Sequence, residues 1–150
     1  MNGLFVRALI AFLVLPGTIA FLVPLWLIRP QDRDHLDAAG WTLLAAGTTL
    51  LLWCVREFYV AGKGTLAPWS PPRHLVASGP YRVSRNPMYV GVLLILSSWA
   101  IGFRSTSLAA YAATVAAAFH LRVVFGEEPW LARTHGEQWD QYRARVRRWL

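Results

Sequence analysis

The sequence predicts an all-α integral membrane bundle of about four transmembrane helices, arranged as two hairpins. Hydrophobic residues make up 55% of the 150 residues and charged residues only 15%, whereas roughly a quarter of an average soluble domain is charged. The apolar residues also cluster in windows that approach the ~20 residues a helix needs to cross a bilayer. A chain of this length has room for one domain, which we expect to cover residues 1–150.

Four apolar windows define the expected spans. They cover residues 4–28, 38–60, 88–103 and 108–125. The first window is too long for a secretory signal and has no small-residue cleavage pattern, so we expect a retained helix. The third window is short for a membrane helix, and the fourth is adequate but carries His120 and Arg122.

Basic residues are concentrated in the connection of residues 62–86 and in the tail of residues 126–150. Cytoplasmic loops of membrane proteins are enriched in Lys and Arg, so we expect both segments and both termini to face the cytoplasm. In a bacterium this would be the inner membrane. Prolines prevent a continuous helix in the connection, which we expect to be an ordered loop at the membrane surface. The tail mixes aromatic residues with arginines and predicts a C-terminal amphipathic helix.

The formal net charge of +7 indicates a membrane surface rather than nucleic acid as the partner. The basic residues flank apolar spans instead of covering a soluble domain, and each contributes about 1 kcal/mol near an anionic leaflet. Cys54 is the only cysteine, so it forms no intramolecular disulfide, and its surroundings lack metal-ligand spacing. We expect a packing role for Cys54 and no metal site.

The most informative motif opens the third span and reads Arg-Asn-Pro-Met-Tyr-Val-Gly, from Arg85 to Gly91. An Asn before a Pro at the first helical position favours a helix start, with free backbone N–H groups that suit an anionic ligand. Two adjacent acids, Glu127 and Glu128, follow the fourth span. Two polar clusters at the ends of consecutive spans predict one site where the membrane meets water.

These two motifs resemble those of the isoprenylcysteine carboxyl methyltransferase and phospholipid methyltransferase superfamily, over roughly residues 62–149. In that superfamily an Arg-His/Asn-Pro-x-Tyr-x-Gly motif and a Glu-Glu pair enclose S-adenosylmethionine. The resemblance implies a membrane methyltransferase that releases S-adenosylhomocysteine after direct in-line transfer to a lipid-like or prenyl-type acceptor, with a carboxylate favoured. It implies a cytoplasmic cofactor-binding loop, with Arg85 and Glu128 as the catalytic pair. The cofactor contacts it implies are Tyr81, Arg85, Asn86, Pro87, Tyr89, Gly91, His120, Glu127 and Glu128.

Arg85 is expected to bind an anion, because its planar guanidinium donates two parallel hydrogen bonds to a carboxylate. The anion is either the cofactor's carboxylate or a carboxylate of the substrate. Glu127 and Glu128 are expected to hold the cofactor's α-amino group and ribose hydroxyls, since two carboxylates at a membrane-helix end are costly to desolvate without cations or donors. Without the Arg85 motif, the two acids would more simply mark the water-exposed end of the span.

His120 shares a helix face with Glu127 and is expected to point into the bundle interior. There it contacts the cofactor or, as a neutral side chain, bonds to a backbone carbonyl. Tyr89 is expected to pack against the adenosyl group or to donate a hydrogen bond, or else to anchor the helix at the interface. Arg122 lies on a different face, where it reaches the headgroups or pairs with an acid. Gly91 permits close approach of another backbone or of the cofactor.

Two other functional classes stay open. A sterol-type membrane reductase would use NADPH, although a 2′-phosphate would need a larger basic pocket than 150 residues offer. A non-enzymatic membrane scaffold would tolerate alanine in both polar motifs. A homo-oligomer that completes the lipid-facing wall is a further expectation.

Overall fold

The computed structural model describes residues 13–28, 36–62 and 74–150. The helices in these ranges are α1 (Val23–Leu27), α2 (Ala38–Val60), α3 (Pro87–Gly102), α4 (Thr106–Arg122), α5 (Glu128–His135) and α6 (Glu137–Arg145). Shorter or wider turns adjoin them: a π-helix at Leu13–Leu22, a 3-10 turn at Gly79–Arg82 and a π-turn at Val123–Glu127. Across the described ranges the only β contact is an isolated bridge between Ser84 and Arg147, so the all-α prediction is confirmed.

Two helices are long and apolar enough to cross a membrane by length and composition, Ala38–Val60 with 23 residues and the continuous helix Thr106–His135 with 30 residues. Two further apolar helices, Pro16–Leu27 and Pro87–Gly102, are shorter. The predicted span of residues 38–60 coincides with α2. The predicted third and fourth spans correspond to α3 and to the first part of the longer helix. The four-span, two-hairpin topology stays a prediction.

Parts of the predicted elements fall outside the described residues. These parts are residues 4–12 of the first span, the link of residues 29–35 and residues 63–73 of the basic connection. The described part of the connection runs from His74 through the 3-10 turn to the start of α3.

Helices α2 and α3 cross where two glycines meet. A Cβ atom on Gly47 would lie 2.8 Å from the carbonyl oxygen of Gly91, and one on Gly91 would lie 3.1 Å from the carbonyl oxygen of Gly47. The two backbones are therefore in direct contact, as at other membrane-helix crossings built from small residues. The close approach predicted at Gly91 is made by the backbone of α2.

Two side chains on α3 and α4 donate to backbone carbonyls of the first helical segment. Pro24 has no N–H, so it cannot donate to the Ala20 carbonyl four residues earlier. Trp99 Nε1 donates to the Ala20 carbonyl at 2.8 Å, and the Tyr111 hydroxyl donates to the Ile19 carbonyl at 3.2 Å. These bonds attach the first helical segment to the bundle, beside a core formed by Ala20, Leu51, Val92, Ile95, Leu96 and Phe119.

The tail forms two helices, and the prediction of one amphipathic helix is wrong. Gly136, with φ of +49°, ends α5 and begins the turn into α6. The chain then returns, so that the Arg85 N–H donates to the Arg147 carbonyl at 2.8 Å. On α6, Trp139 is only 2% exposed. A buried indole and a long-range backbone bond fold the tail back onto the start of α3.

Candidate functional site

The 3-10 turn before α3 is held against the end of α2. Ser78 Oγ donates to a carboxylate oxygen of Glu57, which is itself only 7% exposed. Gly79 follows with φ of +54°, and a Cβ atom there would lie 2.9 Å from Trp53 Nε1. A glycine at this position therefore permits both the left-handed backbone and the close contact with α2. This attachment fixes where the chain enters the Arg85 motif.

Tyr81 lies inside this turn. Its ring contacts Phe58 with 5.5 Å between centroids, and it packs in a cluster with Cys54. Its backbone carbonyl accepts a hydrogen bond of 2.7 Å from the Tyr142 hydroxyl. Burial raises the pKa of Tyr142 to about 12 and raises the pKa of Tyr81 above its usual range, so both phenols are neutral at physiological pH. Cys54, fully buried here, has the packing role predicted for it.

Arg85 and Glu128 are brought together by the fold. Arg85 Nη1 lies 3.3 Å from Glu128 Oε1, and the two side chains are 12% and 16% exposed. The Arg85 guanidinium also lies over the Trp139 ring, 5.4 Å from its centroid. Its Nε is buried and has no hydrogen-bond partner among the described residues. The predicted arginine therefore meets one predicted acid and keeps one donor unused.

Glu127 bonds to a different pair of side chains. The Tyr89 hydroxyl donates to Glu127 Oε1, and Arg122 Nε donates to the same oxygen at 2.8 Å and to the Tyr89 oxygen at 3.1 Å. The Tyr89 ring packs on Phe119 with 4.3 Å between centroids. Arg122 therefore pairs with an acid, as one of its two predicted roles required.

A π-turn at Val123–Glu127 immediately precedes Glu128 and changes the directions in which the two acids point. The Glu128 N–H donates to the carbonyl of Val123, five residues earlier, which widens the helix across Val123–Glu127. Pro129 explains the wider turn, because it lacks an N–H and its ring would collide with the carbonyl four residues before it. The predicted spacing assumed a regular α-helix and missed this change. Single π-turns of this kind are frequent at functional sites.

His120 does not point into the bundle interior, and that prediction is wrong. Its side chain is exposed, and its ring stacks on Trp149 with 6.1 Å between centroids. Phe119 and Val123, which are 9% and 1% exposed, occupy the interior face of this helix. Successive helical residues are rotated by about 100°, so His120 is turned away from the face that Phe119 occupies. A cofactor contact by His120 stays a prediction.

Asn86 and Pro87 begin α3 as predicted, but the Asn86 side chain does not cap the helix. Its Nδ2 instead donates to the Arg148 carbonyl at 2.9 Å, and its backbone N–H donates to Ser84 Oγ at 3.1 Å. Asn86 is 8% exposed. The predicted cofactor contact at Asn86 is therefore bonded to the returning tail.

Sequence reasoning missed the side chains that the tail brings to this site. Arg148 donates to both carboxylate oxygens of Glu128, and Trp139 lies under Arg85. No local spacing indicated either contact, because both partners are distant in sequence. The interleaved aromatic and basic residues of the tail were consistent with a surface helix as well as with this arrangement.

Comparison with known proteins adds a family assignment to this geometry. A family model described as phospholipid methyltransferase matches residues 36–138. No curated protein and no solved structure matches the chain significantly. The matched region includes α2 to α5 and both polar motifs, and it covers more than half of the chain. The chain therefore belongs to the phospholipid methyltransferase family of membrane methyltransferases.

Proposed function

We propose that the protein is an S-adenosylmethionine-dependent methyltransferase that binds its cofactor between the start of α3 and the two acids after α4. The observation that carries the proposal is the 3.3 Å contact between Arg85 and Glu128. Each residue lies in a different polar motif, and both are largely buried at one end of consecutive helices. Arg85 and Glu128 therefore supply a cation and an anion close together, as a ligand with both charges requires.

The residues present fit the charged end of the cofactor. An amino-carboxylate needs a cation for its carboxylate and an anion for its ammonium group, and Arg85 and Glu128 supply this pair. The buried Arg85 Nε is a donor without a partner among the described residues, so a carboxylate oxygen would satisfy it. Glu127, bonded to Tyr89, offers a second acceptor for ribose hydroxyls.

The arginines around the two acids offset the free-energy cost of removing the carboxylates from water. Two carboxylates near a membrane surface are costly unless cations or donors accompany them. Arg85 and Arg148 contact Glu128, while Arg122 contacts Glu127. Three positive charges against two negative ones leave an excess that suits an anionic ligand group or acceptor.

The proposed reaction needs little acid–base help from the protein. When bound, the cofactor would supply a methyl group on a sulfonium. A carboxylate oxygen of the acceptor would attack the methyl carbon in line, forming the O–C bond as the C–S bond breaks, with the cofactor leaving as a neutral thioether. A carboxylate acceptor is already ionised at neutral pH, so no general base is required. The task of Arg85 and the two acids is to hold the reactants in position, which can lower a barrier by roughly 7–11 kcal/mol.

An open apolar groove beside the site supports a lipid-like acceptor. It has a volume of about 450 Å³ and is lined by Val90, Leu93, Leu94, Ser97, Trp149 and Leu150. The groove starts at Val90, in the first turn of α3, and continues along one face of that helix. A hydrocarbon tail would lie in the groove while its carboxylate reaches the arginines that accompany the two acids. A prenyl-type acceptor methylated on its carboxylate is the form that we favour.

The membrane arrangement belongs to the same proposal. We place four spans in two hairpins, with both termini and the site on the cytoplasmic side, where basic segments are favoured. A water-soluble cofactor would then enter from the cytoplasm and a lipid acceptor from within the bilayer. Membrane lipids are the expected surroundings, nucleic acid is not an expected partner, and a homo-oligomer stays open.

Membership in a methyltransferase family argues against a sterol-type reductase and against a scaffold. The two rivals also differ in what they bind. A reductase would bind NADPH in preference to S-adenosylhomocysteine, and a scaffold would keep its behaviour when Arg85 or Glu127 is replaced by alanine.

Isothermal titration of the detergent-solubilised protein with S-adenosylhomocysteine tests the proposal. Arg85→Ala and Glu127→Gln should each weaken binding at least about tenfold, or ~1.4 kcal/mol. Arg82→Ala is the matched control for the arginine, because the Arg82 side chain is exposed on the same turn. Unchanged affinity in both site variants would remove them from the cofactor site. Methyl-transfer assays with farnesylcysteine analogues, fatty acids and phosphatidylethanolamine would then identify the acceptor class.

A further inference from the structure

The last described residues cross the turn that opens α3. We call residues 146–149 the strap. Ser84 and Arg147 form a parallel bridge, and the Arg85 N–H donates to the Arg147 carbonyl at 2.8 Å. Asn86 Nδ2 donates to the Arg148 carbonyl at 2.9 Å. The strap is therefore bonded to the same residues that form the first polar motif.

The side chain of Arg148 continues from the strap to the second motif. Its Nε donates to Glu128 Oε1 at 2.9 Å, and its Nη2 donates to Glu128 Oε2 at 2.8 Å. A planar fork that engages both carboxylate oxygens fixes the plane of the carboxylate as well as its position. The hydrogen bond to Glu128 also raises the pKa of Arg148, so the guanidinium stays protonated at physiological pH.

Arg85 meets the same carboxylate in a looser way. Its Nη1 lies 3.3 Å from Glu128 Oε1, the oxygen that Arg148 Nε also contacts. Without Arg148, a single longer contact would leave the Glu128 side chain free to rotate about its terminal bonds. The neighbouring Trp149 anchors the strap by stacking on His120 and packing against the main core. Arg148 therefore reaches Glu128 from a fixed backbone.

We propose that Arg148 is a positioning residue, which holds Glu128 in the orientation that binds the cofactor's amino-carboxylate group. This inference rests on the proposed function above. The family match ends at residue 138, so the inference concerns a segment beyond the matched region. Arg148 acts through Glu128 and touches no reacting atom.

The test compares Arg148→Ala with Arg148→Lys and Arg147→Ala in the full-length, detergent-solubilised protein. Arg147→Ala is a matched control. It removes the same charge from the neighbouring residue, whose side chain is exposed, and it keeps the backbone carbonyl that accepts from Arg85. Isothermal titration with S-adenosylhomocysteine should show about a tenfold loss for Arg148→Ala. The loss should be smaller for Arg148→Lys, which keeps the charge but not the fork, and under about twofold for Arg147→Ala.

A second ligand distinguishes a positioning role of Arg148 from a general loss of structure at the site. 5′-Methylthioadenosine keeps the nucleoside but lacks the amino-carboxylate group, so Arg148→Ala should leave its affinity within about twofold of wild type. If this ligand binds too weakly to measure, the thermal midpoint replaces it, and Arg148→Ala should melt within a few degrees of Arg147→Ala.

Each outcome decides the question. Equal losses for both ligands, or a much lower midpoint, would make Arg148 a purely structural residue and overturn the inference. Tighter binding of S-adenosylhomocysteine by Arg148→Ala would make Arg148 a competitor of the cofactor, which also overturns it. If the wild-type protein binds S-adenosylhomocysteine, and Arg148→Ala binds it as tightly as Arg147→Ala does, only the inference about Arg148 is overturned. A wild-type protein that does not bind S-adenosylhomocysteine would overturn the proposed function itself.

Discussion

The crossing of α2 and α3 at two glycines leads to a quantitative prediction about Gly47→Ala. The added methyl group would lie 2.8 Å from the Gly91 carbonyl oxygen and 2.9 Å from both Ile95 Cγ1 and Ile95 N. Normal contacts are about 3.5–4.0 Å between carbon atoms, so the helices must separate by several tenths of an ångström or more. Over-packing of this kind costs roughly 1–3 kcal/mol.

Gly126→Ala is the matched control for this substitution. Gly126 also lies in a helical turn, but a Cβ atom there has no neighbour within 4 Å among the described residues. Both substitutions gain about 1 kcal/mol because alanine favours helices over glycine. That gain cancels when the two variants are compared, so the difference in stability isolates the contact between the helices.

Thermal unfolding in detergent measures this difference. For a chain of this length, about 1–3 kcal/mol corresponds to a midpoint roughly 2–12 °C lower for Gly47→Ala than for Gly126→Ala. Equal midpoints, or a higher midpoint for Gly47→Ala, would refute the reasoning that α2 and α3 touch through their backbones at this crossing.

Two further substitutions test other features of the fold. Trp99→Phe removes the donor to the Ala20 carbonyl and should lower the free energy of unfolding by about 1–3 kcal/mol. The control is Trp41→Phe, at a residue 61% exposed, which should change this free energy by less than about 0.5 kcal/mol. Equal losses would contradict a specific role for the hydrogen bond of Trp99. Tyr142 has a folded pKa of about 12, above that of the unfolded chain, so its contribution to stability is fully present below the unfolded value near 10 and is lost as pH rises through 12. Denaturant unfolding at pH 8 and pH 11 should therefore show a smaller loss at high pH for Tyr142→Phe than for wild type, and an identical loss would contradict this assignment.

Local sequence signals predicted the elements that local chemistry determines. The start of α2 at Ala38 coincides with the start of the predicted apolar window of residues 38–60. The start of α3 follows from Pro87, which is suited to a first helical position. The meeting of Arg85 with Glu128 was predicted because the first motif opens the third apolar segment and the two acids follow the fourth. Short-range capping and the requirements of a bilayer were sufficient for these features.

Features that depend on distant contacts or on irregular helix geometry were not predictable in the same way. The π-turn rotates the residues after Val123 relative to a regular helix, so a fixed spacing assigned the wrong direction to His120. The strap reaches Ser84 through backbone atoms, and backbone pairing leaves no pattern in the side chains. Arg148 looked like any other arginine of a basic tail, because its partner Glu128 lies on the other side of a turn at Gly136.

In the proposed four-span arrangement, the bonds to the Ile19 and Ala20 carbonyls have a consequence for how deeply the first segment lies in the bilayer. Hydrocarbon tails cannot donate a hydrogen bond, so in lipid nothing competes with Trp99 and Tyr111 for those two oxygens. Sliding the segment along the membrane normal would break both bonds without replacement, whereas apolar contacts alone would permit such a shift at little cost. The two side-chain donors would thus fix the register of the first segment along its neighbouring helices.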